Sequence, residues 1–339
     1  MSRDIILPGG DKLQLFDSRY TGQQVEDILT KALRQANPNL LDNWYFIGGG
    51  SQQGGGRFPV NQRGKTEYTE SGYTIDRWSI GVNGGNTKLD ILEDCIRVTK
   101  LIAIYNPPCP QQVFENYKFK AGTTLTLSIL ARGNATTRLT FGFKSAGEKF
   151  YDYTPTSTIN WGLYSFTYTL TVDDILSFVN IGQLMLSNAV GNYLEISAAK
   201  LEEGSNQTLS HQDDDGNWVL NDPPPNFALE LEKCQRYQIP FRYANSDLRV
   251  RASVLNGTDY LFFMVPVPTS LRGRPTIENA DDLAVTTIKN EFQSGFIFNV
   301  QGYGPGYVMI IAYKQNHGLN DGCLLSWKSP NPPLFNSNL

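Results

Sequence analysis

Histidine is almost missing from this chain. His211 and His317 are the only two, each in a polar or glycine-rich stretch, so histidine-based acid–base or metal chemistry has no partner set to draw on. The four cysteines, Cys95, Cys109, Cys234 and Cys323, are far apart and form no C-x-x-C pair; this excludes a legible zinc ribbon or redox motif and reads as buried free thiols. No run of about 18 apolar residues marks a membrane span. The start MSRDIILPGGDK has no charged n-region followed by an apolar h-region, so we expect synthesis in a cytoplasm without membrane insertion. On that footing the triplets at Asn134, Asn206 and Asn256 are chance matches to glycosylation sequons.

Charge is sparse as well. Only 18% of residues are charged and the formal net charge is -4, which gives neither the basic footprint of a nucleic-acid partner nor an acidic tail. The motifs G-x-S-x-G and H-E-x-x-H are absent, as are a kinase signature and an internal repeat. The glycines flanking Ser51 to Gln53, at 48–50 and 54–56, lack the G-x-x-x-x-G-K-[ST] pattern of a phosphate loop and read as a mobile loop. His211 to Asn217 spaces oxygen ligands like part of a calcium loop, but no acidic residue closes it. We therefore expect no cofactor, no metal and no enzyme. Glycan cleavage stays open in principle, because two carboxylates suffice for it and sequence spacing does not reveal them.

What the chain does have is aromatic residues, 12% of the total with 17 Tyr and 18 Phe among 339 residues. Rings fit pleated, half-buried surfaces, and the length suits two cores plus an accessory element. Residues 1–20 read as an irregular arm. From Thr21 the period becomes helical, with Val25, Ile28, Leu29, Ala32 and Leu33 on one stripe until Pro38. So short a helix is marginal alone; it can pack on its own domain or join copies from sister chains in a bundle.

From Arg57 to about Leu201, runs of Ile, Val, Thr, Phe and Tyr alternate with turn formers, the pattern of an antiparallel sandwich or jelly roll. The expected strands are 78–82, 88–98, 101–105, 123–131, 137–143, 164–170, 181–186 and 193–201, with one helical turn opening at Asp173-Asp174. Residues 204–226 end in Asp222-Pro-Pro-Pro-Asn226 and read as a semi-rigid linker. A helix-compatible segment, 228–237, then leads into strands at 248–255, 260–267, 283–289, 295–300 and 307–313. The expected fold is thus mainly β: an N-terminal α-helix and two antiparallel β-sandwich (jelly-roll-like) domains. The divisions are 1–38, 39–203, 204–226 (the linker) and 227–339. Trp44, Trp78 and Trp161 are assigned to the first core, and Trp218 to the junction between domains.

Three words carry a family resemblance: N-L-L-x-N-W-Y-F at Asn39 to Phe46, P-x-N-Q-R-G at Pro59 to Gly64, and Y-T-x-D-R-W at Tyr73 to Trp78. Together with ISAAKLEEGS at Ile196 to Ser205, they resemble the sandwich module of phage tail fibre and receptor-binding proteins, whose fold is similar to carbohydrate-binding modules. LELEKCQRY followed by R-x-x-P-T at Arg272 to Thr276 is similar to the head domains of the same proteins. The resemblance implies a homotrimer in the virion tail, bundled through the helix stripe. It also implies an arm that attaches to other tail or baseplate proteins, and adhesion to a bacterial surface glycan or protein. A connector without receptor binding is the alternative, and a glycan depolymerase a more remote one. For the ligand, the glycine-rich loop 301–307 offers Tyr303 and Tyr307, and the polar loop 316–321 offers Asn316, His317 and Asn320, since sugars stack on rings and bond to carboxamides. The competing reading of 301–307 is a tight hairpin whose tyrosines cover the core.

Overall fold

The computed structural model describes residues 4–6, 12–14, 37–50, 56–80, 87–102, 109–240, 250–254, 259–286, 292–293, 295–315, 323–327 and 333–337. The chain forms two compact units, Met1–Pro38 and Asn39–Leu339. In the first, Asp4–Ile6 pairs antiparallel with Lys12–Gln14, Ile5 opposite Leu13, so the stretch expected to be irregular contains a small hairpin. The helix stripe Val25, Ile28, Leu29, Ala32 and Leu33 lies outside the described residues.

The second unit is mainly β and its sheets are antiparallel. Two six-stranded sheets face each other. One runs 147–153, 137–143, 174–184, 110–119, 79–80, 72–73 in spatial order; the other runs 162–169, 124–133, 193–203, 96–100, 87–91, 67–68. Leu125, Leu127, Ile129 and Ala131 alternate along Thr124–Gly133 and share one core with Leu139, Phe141 and Phe143 of the opposite sheet. Period-2 alternation with one buried face is what makes such a pair of sheets a sandwich. Trp44 and Trp78 lie in that core. Trp161 is half-buried and packs against that core, with the Arg132 guanidinium 4.3 Å over its ring.

Several expected boundaries move. The single strand 88–98 is two strands, Thr87–Ile91 and Ile96–Lys100, paired through a turn. Asp173-Asp174 opens no helical turn; Asp174 starts the strand Asp174–Leu184, and its carboxylate accepts the backbone N–H groups of Ser145 and Ala146. The strands Pro110–Phe119 and Gly147–Tyr153 were not expected, because their polar residues hide the alternation.

The segment expected as a linker is largely folded onto the sandwich. Ser210–Gln212 and Trp218–Leu220 form a hairpin, Leu209 is fully buried, and Trp218 and Leu220 pack on the first core rather than at a junction between domains. The fully buried Lys200 ammonium pairs with Asp222 at 2.5 Å. The calcium-like stretch is the turn of this hairpin, with Asp213 Oδ1 accepting from the backbone of Asp215 and Asn217. Among the described residues no cluster of His, Cys, Asp and Glu could hold a metal ion.

After the prolines comes the helix Phe227–Gln235, capped by Asn226, whose side chain accepts from the N–H groups of Ala228 and Leu229, the usual satisfaction of a first turn. A three-stranded sheet (238–240, 334–336, 276–278) and a seven-stranded sheet (292–293, 283–286, 324–327, 250–254, 260–266, 307–313, 297–304) complete the unit. They share a second core around Leu261, Phe263, Val265, Ile310 and Phe335. All four cysteines are buried, and none of them is in a disulfide.

Candidate functional site

The three recognisable words are not strands. They are irregular segments that meet at one buried residue, Asn43. Its Nδ2 donates to the carbonyls of Val60 and Asp76, both at 2.8 Å, and its Oδ1 accepts from Val60 N at 2.7 Å. One carboxamide thus joins all three words, and the Trp78 indole donates to the Asn43 carbonyl at 3.0 Å. Gly48–Gly50, expected in a mobile loop, is fixed here. Gly50 has φ +62°, a Cβ on it would stand 2.8 Å from Ile91 Cγ2, and its N–H donates to Phe58 O. Residues 51–55 lie outside the described residues.

The words then seat the C-terminal part of the unit. Glu230 on the helix accepts the Asn43 N–H. Phe58 and Val60 pack with Cys234. Gln62 Nε2 donates to Gln238 O at 2.8 Å and to Asp76 Oδ2 at 2.8 Å, while Gln238 Nε2 donates to Asp76 Oδ1 at 3.1 Å. Arg63 takes Glu278 as a fork, 3.2 and 2.8 Å. The Arg77 guanidinium, bonded to Asp42 and Val113 O, lies 3.6 Å over the Tyr237 ring. Burial pushes the Asp76 carboxyl up to about 6, against the lowering pull of Arg63 and the Gln62 donors. An acceptor surrounded by donors at fixed positions holds the C-terminal part of the unit against the words.

A second arrangement of note lies on the face away from the core of the sandwich sheet that contains Thr137–Phe143. Leu139, Phe141 and Phe143 point into the core, so Arg138, Thr140 and Gly142 point away from it. Their cross-strand partners are Asp152, Phe150 and Glu148 on one side and Gln183, Asn180 and Phe178 on the other. The decisive contact is between Phe178 and Gly142: a Cβ on Gly142 would lie 2.2 Å from Phe178 Cε1. The missing side chain lets the half-buried Phe178 ring lie against the sheet. Phe150 is half exposed, and the Arg138 guanidinium stacks 3.7 Å from its ring while forking to Asp152. The two rings are two strands and one side-chain row apart, about 12 Å on ordinary sheet spacing. Between and beside them stand carboxamides, with Gln111 Nε2 donating to Asn180 Oδ1 at 3.1 Å. The Thr140 hydroxyl beneath them has no hydrogen-bond partner.

No protein-family model matches the chain, and no curated protein matches it. Solved structures do. A BiXyn10A CBM1 in its apo form has a TM-score of 0.28 and 19% identity, covering 39% of this chain and 98% of its own. A CBM4 structure has a TM-score of 0.29 and 17% identity, covering 38% and 95%. A mutant of a family 29 carbohydrate-binding module complexed with cellulohexaose has a TM-score of 0.29 and 9% identity, covering 41% and 87%. These neighbours are carbohydrate-binding modules. TM-scores this low extend the likeness neither to a site nor to a ligand.

The loop 301–307 is the tip of a tight hairpin between Ile297–Gly304 and Tyr307–Tyr313. Tyr303 and Tyr307 are 42% and 37% exposed, yet they do not form one surface. Register places Tyr303 opposite Val308, which faces the core, and Tyr307 opposite Gly304, whose missing Cβ makes room for the Tyr307 ring. Asn316, His317 and Asn320 lie outside the described residues. Reasoning from sequence missed Phe150 and Phe178. One signal was available: an isolated glycine inside the well-marked strand 137–143 points to a close approach at Gly142.

Proposed function

We propose that this chain is an adhesion protein of a phage tail or tail-like particle, and that it binds an electrically neutral bacterial surface glycan on the sandwich face around Phe178 and Phe150 without cleaving it. The observation that carries the binding is the Phe178 ring laid on Gly142, with carboxamides at its flanks. A ring held flat can stack on the C–H face of a sugar, and the half-buried carboxamides of Gln183 and Gln111 offer donors and acceptors to its hydroxyls, while Asn180 is buried and holds Gln111. Arg138 is already paired with Asp152, so the face gives an anionic sugar no unpaired cation. The tail assignment rests on the three words and the LELEKCQRY segment. With it come a homotrimer, an arm gripping neighbouring tail or baseplate proteins, and avidity from three copies of a modest site.

Calorimetric titration of the full chain with a panel of purified neutral and acidic bacterial surface polysaccharides tests this. At least one neutral polymer binds, and Phe178→Ala weakens it tenfold or more, about 1.4 kcal/mol, with the thermal midpoint unchanged. Binding that survives both Phe178→Ala and Phe150→Ala moves the site elsewhere. Release of reducing ends by the wild-type chain makes it a depolymerase. Absence of binding across the panel returns it to a connector role.

A further inference from the structure

Tyr193–Glu203, an interior strand of its sandwich sheet, carries a lysine and a glutamate that solvent does not reach, Lys200 and Glu202. Leu125, Leu127 and Ile129 of the neighbouring strand face the core, so Thr126 and Ser128 between them face away from it, and register sets Ser128 opposite Lys200 and Thr126 opposite Glu202. Such charged side chains are almost never fully buried unless paired. Their partners come from the segment 204–222, which folds back over the sandwich with Leu209 fully buried and Trp218 and Leu220 packed on the core.

A closed circuit of contacts places two acids about one amine. Lys200 Nζ stands 2.5 Å from Asp222 Oδ2. Thr208 donates its backbone N–H to Glu202 Oε1 at 2.6 Å and its hydroxyl to Oε2. Asn221 Nδ2 donates to Thr208 O at 2.9 Å and Asn221 N to Leu209 O at 3.0 Å, which fixes the adjoining Asp222. Two features go beyond an ion pair. The Lys200 side chain is wholly enclosed while that of Asp222 is 22% exposed, so the nitrogen is dry and the carboxyl has an outlet for a departing water. The Ser128 hydroxyl, across the strand from Lys200, is buried with no hydrogen-bond partner, a polar group that the ion pair leaves unsatisfied. In a dry site, transfer of one proton from ammonium to carboxylate gives an amine and an acid that burial penalises less than the ions. Held in contact, the two react as if at a concentration far above any in solution.

We propose that Lys200 and Asp222 condense into an intramolecular amide. The uncharged Nζ adds to Asp222 Cγ, the new C–N bond forms and the C–OH bond breaks. The hydroxyl departs with a proton from the nitrogen as one water, and nothing is oxidised or reduced. Glu202, one side-chain row along the strand at about 7 Å, carries that proton from the nitrogen to the hydroxyl. The amide closes the ring 200–222 and passes a pull entering at Pro223 straight into an interior strand of the sandwich, leaving the hairpin 210–220 unloaded. The inference does not rest on sugar binding.

Mass spectrometry of the intact, denatured full chain tests it. The expected mass is one water below that of the sequence, with the peptides holding Lys200 and Asp222 joined as one species after digestion. Hydroxylamine leaves the deficit in place, because it opens a succinimide at an Asp-Gly pair and spares a secondary amide. Lys200→Met and Asp222→Ala restore the full mass. Glu202→Gln, which can keep both contacts to Thr208, lowers the joined fraction about tenfold or more. A wild-type chain at its full sequence mass overturns the inference, and so does a deficit that maps to any other pair of residues. Joining by Glu202→Gln at the wild-type level overturns the proton-carrying role of Glu202.

Discussion

The unit 39–339 carries two outward sheet faces, and they are built to different rules. On the sandwich, rings are interleaved with Gln111, Asn180, Gln183 and an Arg138–Asp152 pair. On the C-terminal sheet, rings are interleaved with methionine and isoleucine, and exposed Asn299 and Gln301 stand beside Ile311. Both faces use the same device, an aromatic ring laid over a cross-strand glycine: Phe178 on Gly142 and Tyr307 on Gly304. The neighbours of the ring decide its use. Polar neighbours leave a platform suited to hydroxyl groups, the use proposed for it above. Mainly apolar neighbours leave a surface with few groups to offer a hydroxyl.

The largest expected effect breaks the tie between the two faces. Asn43→Ala strands the buried Val60 N–H and the carbonyls of Val60 and Asp76, and loses about 3 to 5 kcal/mol of unfolding free energy in urea. A loss below about 1 kcal/mol means the three words do not depend on it. The next effect is set by pH. The Asp76 carboxyl is raised from 3.8 to about 6 in the fold, so the folded state holds its proton more tightly. Its contribution is fully present below about pH 4 and is lost as pH rises through about 6, by no more than about 3 kcal/mol. Asp76→Asn flattens that part of the stability profile between pH 4 and 7; an unchanged profile assigns the slope to other groups. The smallest effect sharpens the platform itself. Gly142→Ala lifts the Phe178 ring off the sheet, and it weakens polysaccharide binding several-fold, about 1 kcal/mol, without changing oligomer mass. Equal binding by this variant dissociates recognition from the posture of the ring.

How much of this could be read in advance differs from element to element. Thr137–Phe143 was legible to the residue and Thr124–Gly133 nearly so, because apolar residues alternate with small or polar ones along the sequence, although both faces of these strands are largely buried. Pro110–Phe119, with Gln, Glu, Asn and Lys through its length, carries no such period, and its place is set by partners distant in the chain. The words at 39–78 stood out in the sequence, yet their structural role was hidden. Asn43 acts on Val60 and Asp76, and Gln62 on Gln238, across separations that no local pattern encodes. The proposed binding face was hidden for a related reason: it needs Phe150, Gly142 and Phe178 from three strands, and only register brings them together.

The seat for Phe227–Gln235 also bears on inheritance. Its grip consists of a carboxylate at Glu230, a small thiol at Cys234 and a main-chain carbonyl at Gln238, all within a dozen residues ahead of the C-terminal sheets. A plug that short can be transplanted with whatever follows it. A chain that exchanged everything beyond Pro240 for another head would keep this socket filled and, among the described contacts, forfeit the ties from Arg63 to Glu278 and from Arg272 to Glu115 and the pairing of Gln238–Pro240 with Leu334–Asn336. The fold thus separates the part that must be conserved in shape from the part that is free to be replaced, and it sets the join at a single helix.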